Sequence, residues 1–283
     1  MKIVVDVSSW QDTYTFEKFK LLVDNGVDAA IIRAGFFNTE DRMLKTFVGW
    51  CNVLKIPFGL YWYFYPNSVS VQGEKFIEVA RNYDAKCLWS DVEEHTGSQS
   101  FLDGYYKTEF TKIKNAFPNK IVGNYSGGWV LDSYIPTLYK WAKAYPYWNA
   151  HYVKYYTWYK NYIASLGGTW DSSAKTISIS NLKNIMVEIE KHPVTSAAGF
   201  DKTNLWQCIT YIPFTELTEG QRHLDFNICQ DLDFELLFGK TSVPPVEPPV
   251  DPMILEKAYR VDELRHMKEK VDKLFTDRIA ELS

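Results

Sequence analysis

The chain has 283 residues, enough for one large domain or two ordinary ones, and its 46% apolar and 23% charged residues are those of a soluble globular protein. A net charge of -4 gives no electrostatic reason to expect nucleic acid as a partner, and no stretch is long and apolar enough to predict membrane insertion. Aromatic residues are unusually abundant, at 16% with 19 Tyr and 10 Trp; most belong in a packed core, but sugars also stack their apolar C–H faces on such rings.

The opening residues, Met1 to Asp6, lack the long apolar stretch and cleavage site of a signal peptide, so the chain is expected to be made in the cytoplasm. Cys51, Cys87, Cys208 and Cys229 are widely scattered with no close metal-ligand pair. They read as reduced thiols, and no metal site is expected.

Ile3 to Val7 is an apolar strand carrying one acid, Asp6. Phe16, Phe19, Leu22 and Val23 recur at helical spacing until Asn25-Gly26 stops the helix. Ala29 to Arg33 is a second apolar strand, and Met43, Phe47, Trp50, Cys51 and Leu54 give a second helix. Phe58 to Phe64 is a third strand, and Val71 to Tyr83 a third helix that leads into a strand ending at Asp91 and Glu93. A helix near residues 103–116 and a strand at Ile121 to Tyr125 continue the alternation. Short apolar strands alternating with helices predict parallel strands joined by crossover helices. A closed barrel and a doubly wound sheet both fit, and in either the polar residues after the strands gather at one end.

Past residue 130 the alternation weakens. Trp148 to Tyr152 reads as a strand, Asn181 to Lys191 as a helix, and Leu205 to Cys208 and Leu224 to Asn227 as short late strands. Residues 241–252 are a proline-rich linker, predicted to be extended and semi-rigid. Residues 253–283 read as one amphipathic helix, with Val261, Leu264, Val271, Phe275 and Leu282 at 3/4 spacing interrupted by Lys268 and Arg278. Its apolar stripe needs a cover, supplied either by the preceding domain (residues 1–240) or by self-association into a homo-oligomer.

Trp89 to Glu94 carries the chemistry. An apolar run breaks into carboxylates, and strand periodicity puts Asp91 and Glu93 on one face and Glu94 on the other. One carboxyl held protonated beside one ionised is what glycoside hydrolysis requires; a solvated acidic turn is the plain alternative.

Several motifs, in order, resemble the glycoside hydrolase family 25 muramidases, the Chalaropsis-type lysozymes common among phage endolysins. Asp6-Val7-Ser8-Ser9-Trp10-Gln11 is similar to the family's opening Asp-x-Ser-x-aromatic-Gln. Ile31 to Gly35 and Gly59 to Phe64 resemble its second and third strands, and Asp91-Val92-Glu93 its Asp-x-Glu. Gly123 to Ser126 and Trp148-Asn149-Ala150-His151-Tyr152 resemble its fifth strand and its Trp-x-Ala-x-Tyr. Trp206-Gln207 and Asp225-Phe226-Asn227 resemble its closing Trp-Gln-Tyr and Asp-x-Asn, and the likeness spans residues 3 to about 238. Two departures stand out. Cys208 replaces the family's usual Tyr, so one aromatic wall of the site is expected to be missing. The segment near 153–203 is longer than usual, with extra Tyr and Trp residues that could extend a glycan platform.

The resemblance implies an α/β fold, a flattened TIM-like (β/α)5(β)3 barrel, with an acidic groove at the strands' C-terminal ends. It implies cleavage of the β-1,4 bond from N-acetylmuramic acid to N-acetylglucosamine in bacterial peptidoglycan, without metal or organic cofactor. Glu93 would be the general acid, Asp91 an ionised partner that stabilises the transition state or orients the 2-acetamido group, and Asp6 and Asp225 polarising or positioning groups. Gln11 and Arg33 are either substrate contacts or structural groups. Tyr61, Tyr63, Tyr125, Trp148 and Trp206 either line the groove or pack the core. Acetamido participation and direct water attack both remain open. So do two other readings: a glycan-binding or virion structural protein without turnover, and a barrel glycosidase acting on a chitin-like polymer. The phage reading places the action at the cell wall, reached through a phage-made pore or by virion delivery.

Overall fold

Ile3, Val4, Val5 and Val7 are buried on both faces of the first strand, β1 (Lys2–Val7). Only a strand sandwiched between an inner and an outer layer has that pattern, as parallel strands under helices do. Thr15 caps α1 (Phe16–Asp24), whose Phe16, Phe19 and Leu22 form one buried face. Gly26, at φ +106°, turns the chain out of the helix in a conformation that a residue with a Cβ would resist.

β2 (Val27–Phe36) follows, with β3 (Thr39–Glu40) folded back on its end as a short antiparallel partner. Then come α2 (Leu44–Leu54), β4 (Phe58–Tyr63), α3 (Gln72–Ala80), β5 (Cys87–Asp91), α4 (Gln99–Ala116) and β6 (Ile121–Gly127). Two short helices, α5 (Gly128–Ser133) and α6 (Tyr139–Ala142), precede β7 (Tyr147–Ala150). After α7 (Thr157–Ser165) and α8 (Leu182–Glu190) the chain ends its barrel with β8 (Leu205–Ile209), β9 (Asp225–Cys229) and α9 (Asp231–Phe238).

The computed structural model describes residues 1–66, 71–169, 176–194, 199–210, 214–217 and 224–239, all within one unit, Met1–Ser242. The expected linker over 241–252 and helix over 253–283 lie outside the described residues.

β1 pairs with both β2 and β9, so the sheet β1-β9-β8-β7-β6-β5-β4-β2 closes into an eight-stranded barrel, and β3 hangs on β2. Strands β1, β2 and β4 to β8 run parallel around it, whereas β9 is antiparallel to β8 and to β1. This is the flattened TIM-like (β/α)5(β)3 barrel expected: five strand–helix units, then three closing strands. The long 153–203 segment has a topological reason as well. β7 and β8 are parallel neighbours, so the chain must cross back over the barrel, and α7 and α8 lie on that crossover.

Two apolar layers result. The larger lies between strands and helices, with Phe19, Phe47, Trp62, Phe76 and Phe110 in it. The smaller fills the barrel with Val4, Ile31, Trp89, Trp148 and Leu205, and is stoppered by Phe234, Leu237 and Phe238 of α9. The Trp89 indole fits because its neighbour on β6 is Gly123, where a Cβ would overlap the ring and come within 2.7 Å of the Pro146 carbonyl.

Candidate active site

Parallel strands deliver their last residues to one end of a barrel. Asp6 is the last residue but one of β1, and Asp91 ends β5, with Tyr63 of β4 and Tyr125 of β6 as its partners in register. Beyond Asp91 the Val92 N–H donates to the Tyr125 carbonyl at 2.9 Å, which keeps the chain extended and returns Glu93 to the side that Asp91 faces. β9 runs the other way, so its first residue, Asp225, reaches this same end opposite Asp6. Asp6, Asp91, Glu93 and Asp225 all line one cavity of about 540 Å³.

Gln11, Arg33, Tyr61, Tyr63, Tyr125 and Trp148 line it too. Gln11 and Arg33 are also structural. The Gln11 side chain accepts from the Ser8 N–H at 2.9 Å, closing a capping box. Arg33 donates from Nε to Asp41 at 2.6 Å and from a terminal nitrogen to the Ser9 hydroxyl at 2.8 Å. Trp148 is the cavity floor, its ring 4.4 Å from Tyr125 and 5.7 Å from Trp89 between centroids, and it is almost wholly buried. Tyr63 donates to Glu94, not to either lining acid beside it, at 2.8 Å.

The structure decides one open alternative, at Trp206, and corrects one expectation, at Cys208. Trp206 is not brought to the cavity. It packs in the outer layer and donates from its indole to the His151 carbonyl at 2.7 Å. The inward residue of that strand is Gln207, because side chains alternate. For the same reason Cys208 points outward into the larger core, and a cysteine there removes no wall from the site.

Gln207 belongs to a network that the motifs do not announce. Its Nε2 donates to Asp6 Oδ2 at 3.0 Å, and Asn227 Nδ2 donates to the same oxygen at 2.8 Å. Asn227 in turn accepts from the Trp148 indole at 2.6 Å. Gln207 Oε1 faces two hydroxyls, Tyr125 at 2.8 Å and Tyr152 at 2.9 Å, and the Tyr125 hydroxyl also lies 3.2 Å from Glu93 Oε1. A phenol has one proton to donate. When Tyr125 gives it to Glu93, Tyr152 still satisfies Gln207, so the network can serve an ionised or a protonated Glu93.

Trp10, 67% exposed, is a further lining residue at the rim, and Tyr152 is another in the wall. The signal for Trp10 lies in the sequence, next to Gln11. For Tyr152 and Gln207 it is the two-residue strand repeat.

Burial raises the pKa of all four acids, and for Asp6, Asp91 and Asp225 their proximity within the set adds to it, while Glu94 adds to it for Glu93. Asp6 is pushed up to about 7 by desolvation and, less strongly, by Glu93, against the hydrogen bonds from Asn227 and Gln207. Asp91 is pushed well above the carboxylate range by desolvation and then by Glu93, with Arg33 opposing. Asp225 is raised well above it by desolvation and by Asp6 and Glu93, with Lys154 opposing. Glu93 is raised by desolvation, and the Tyr125 hydrogen bond holds it down. Without substrate, burial favours a proton on Asp91 and Asp6 as well as on Glu93. Asp91 has at least as strong a reason to keep one, since its Oδ1 is buried with no hydrogen-bond partner among the described residues.

A scan against models of protein families finds no match, and a search of curated proteins finds none either. Solved structures do match. The catalytic domain of the endolysin ply40 from bacteriophage P40 of Listeria monocytogenes superposes with a TM-score of 0.58 at 17% identity, over 85% of this chain and 98% of that one. The bacterial lysozyme from Streptomyces coelicolor gives 0.57 at 16%, over 85% and 98%. A family 25 glycosyl hydrolase from Bacillus anthracis gives 0.55 at 16%, over 85% and 94%. At these identities the likeness is one of fold: the chain has the barrel of the family 25 glycosyl hydrolases.

Proposed function

We propose that this chain is a peptidoglycan hydrolase of the family 25 muramidase type, cleaving the β-1,4 bond between N-acetylmuramic acid and N-acetylglucosamine. The observation that carries the reading is Asp91 and Glu93 lining one cavity with Asp6 and Asp225, at the C-terminal end of a barrel shared with muramidases and endolysins. Glu93 protonates the leaving oxygen as general acid, and its raised pKa serves that task. Asp91 offers an unpartnered buried oxygen to the acetamido N–H of the substrate; accepting that hydrogen bond favours its ionised form. Asp6, fixed by Gln207 and Asn227, and Asp225 opposite it hold the field and the register of the sugar.

The biological setting that fits best is a phage endolysin acting on the host wall after synthesis in the cytoplasm, reaching it through a phage-made pore or on a virion. The sequence beyond residue 240 supports a linker over 241–252 and an oligomerisation segment over 253–283. The direct test is to incubate the protein with purified peptidoglycan, count new reducing ends and identify the fragments by mass spectrometry. Muramic acid at the new reducing ends supports the assignment. Fragments from chitin-like polymers alone would place the enzyme elsewhere among barrel glycosidases, and binding without new ends would make it a glycan-binding protein.

A further inference from the structure

Three aromatic side chains stand in mutual contact outside the cavity's lining, and the proposed hydrolysis makes no use of them. Trp129, 55% exposed, comes from α5; Tyr134, 41% exposed, directly follows that helix; and His95 lies beyond β5. The His95 and Tyr134 rings are 4.0 Å apart between centroids with planes inclined 33°. Trp129 meets both nearly edge-on, at 5.6 Å from His95 and 6.2 Å from Tyr134.

All three are anchored at the mouth of the barrel. β6 runs into α5 with no connecting loop, so Trp129 is two residues past the end of a barrel strand. Its indole rests against Gly127, where a Cβ would come within 2.7 Å of the ring nitrogen. His95 follows Glu93 by two residues, and its Nδ1 lies 3.2 Å from the Glu93 carbonyl oxygen. The cluster therefore shares backbone with the catalytic acid.

A single exposed aromatic ring needs no explanation, but three held together beside the catalytic acid do. Their chemistry selects the occupant. Each ring has an apolar face and a polar group at its edge: an indole N–H, a phenol and an imidazole. A pyranose has the matching surface, an apolar C–H face ringed by hydroxyls. A glycan strand leaving the cavity past Glu93 runs toward His95, because the two side chains lie on one short stretch of chain.

We propose that His95, Trp129 and Tyr134 form a carbohydrate platform that holds a further sugar ring of the glycan strand outside the cavity, with Trp129 as its stacking face. This rests on the glycan-hydrolase reading and extends it: the enzyme grips a longer strand than its cavity holds, and favours polymer over short fragments.

The test compares Trp129→Ala and Trp129→Phe in the full chain, on polymeric peptidoglycan and on the shortest soluble fragment the unaltered protein cleaves. Because the ring is largely exposed, its loss leaves the core intact. A stacking contact of ordinary strength predicts that Trp129→Ala raises KM on the polymer about 5-fold with kcat unchanged. Trp129→Phe should recover most of that loss, and neither change should alter cleavage of the short fragment. An unchanged KM on the polymer overturns the platform, as does an equal loss on both substrates. Should the unaltered protein release no reducing ends at all, hydrolysis fails separately, and the platform is judged by fluorescence quenching with N-acetylglucosamine oligomers of increasing length. A gap between unaltered protein and Trp129→Ala that widens with length supports it; identical quenching overturns it.

Discussion

Asp6 of β1 and Asp225 of β9 are direct partners across an antiparallel ladder, two acids where opposite or apolar residues would be the stable choice. Asp6 is buried and raises the pKa of Asp225, while desolvation and, less strongly, Glu93 raise its own. The folded protein thus holds a proton on Asp6 up to about pH 7, whereas the unfolded chain releases it near 3.8. Between those values the native state binds more protons, so stability falls as pH rises through the window. Replacing Asp6 with Asn keeps an oxygen for Gln207 and Asn227 but removes the group that titrates, and so flattens the fall. Melting temperatures from pH 4 to pH 8 for both proteins would check this; parallel curves would contradict it.

Glu93→Gln keeps the shape of the side chain and an acceptor for Tyr125, but no longer carries a proton to give. Glycan cleavage should drop by on the order of 10²–10⁴ or more, with thermal stability retained. Reducing-end release and a melting curve on one preparation decide it, and near-normal turnover would remove Glu93 from the role of general acid.

Tyr125 donates to Glu93 and so favours its ionised form. In Tyr125→Phe that hydrogen bond is lost, and Glu93 holds its proton to higher pH. The basic limb of the pH profile of kcat/KM should move upward. A limb that stays put or moves down would show that the Tyr125 hydroxyl does not tune the acid.

Gly123→Ala tests the packing beneath the site. The new methyl meets the Trp89 indole and the Pro146 carbonyl, one inside the barrel and one in the neighbouring backbone, so neither yields cheaply. Overpacking of this kind costs about 1–3 kcal/mol, readable as a lower urea midpoint at unchanged slope.

Deleting residues 243–283 should leave glycan cleavage by the remaining chain intact while abolishing self-association. Light scattering of the two proteins gives the answer, and a full-length chain that is already monomeric would refute the oligomerisation role.

What could be read from the sequence was local. The two-residue repeat of a strand places Asp91 and Glu93 on one side, and the structure keeps them there although regular β5 ends at Asp91. The same repeat, applied to Trp206 and Gln207, chooses the amide over the indole, although aromatic rings suit sugars. Other features depended on closure. Asp6 is held by Gln207 and Asn227, residues 201 and 221 positions away, and no local pattern reports that β9 enters antiparallel between β1 and β8. Nor does a sequence show that Tyr152 stands ready to satisfy Gln207 when Tyr125 turns to Glu93.

That closure also bears on biosynthesis. β1 leaves the ribosome well before β9, yet it needs β9 to become a fully paired strand, and contacts so distant along the chain form slowly. A nascent chain that stops short of residue 225 carries Asp91 and Glu93 but neither Asp225 nor the amide of Asn227. Truncated products are thus born without the complete acid set, and the proposed capacity to cut a glycan would appear late in translation, when the barrel locks.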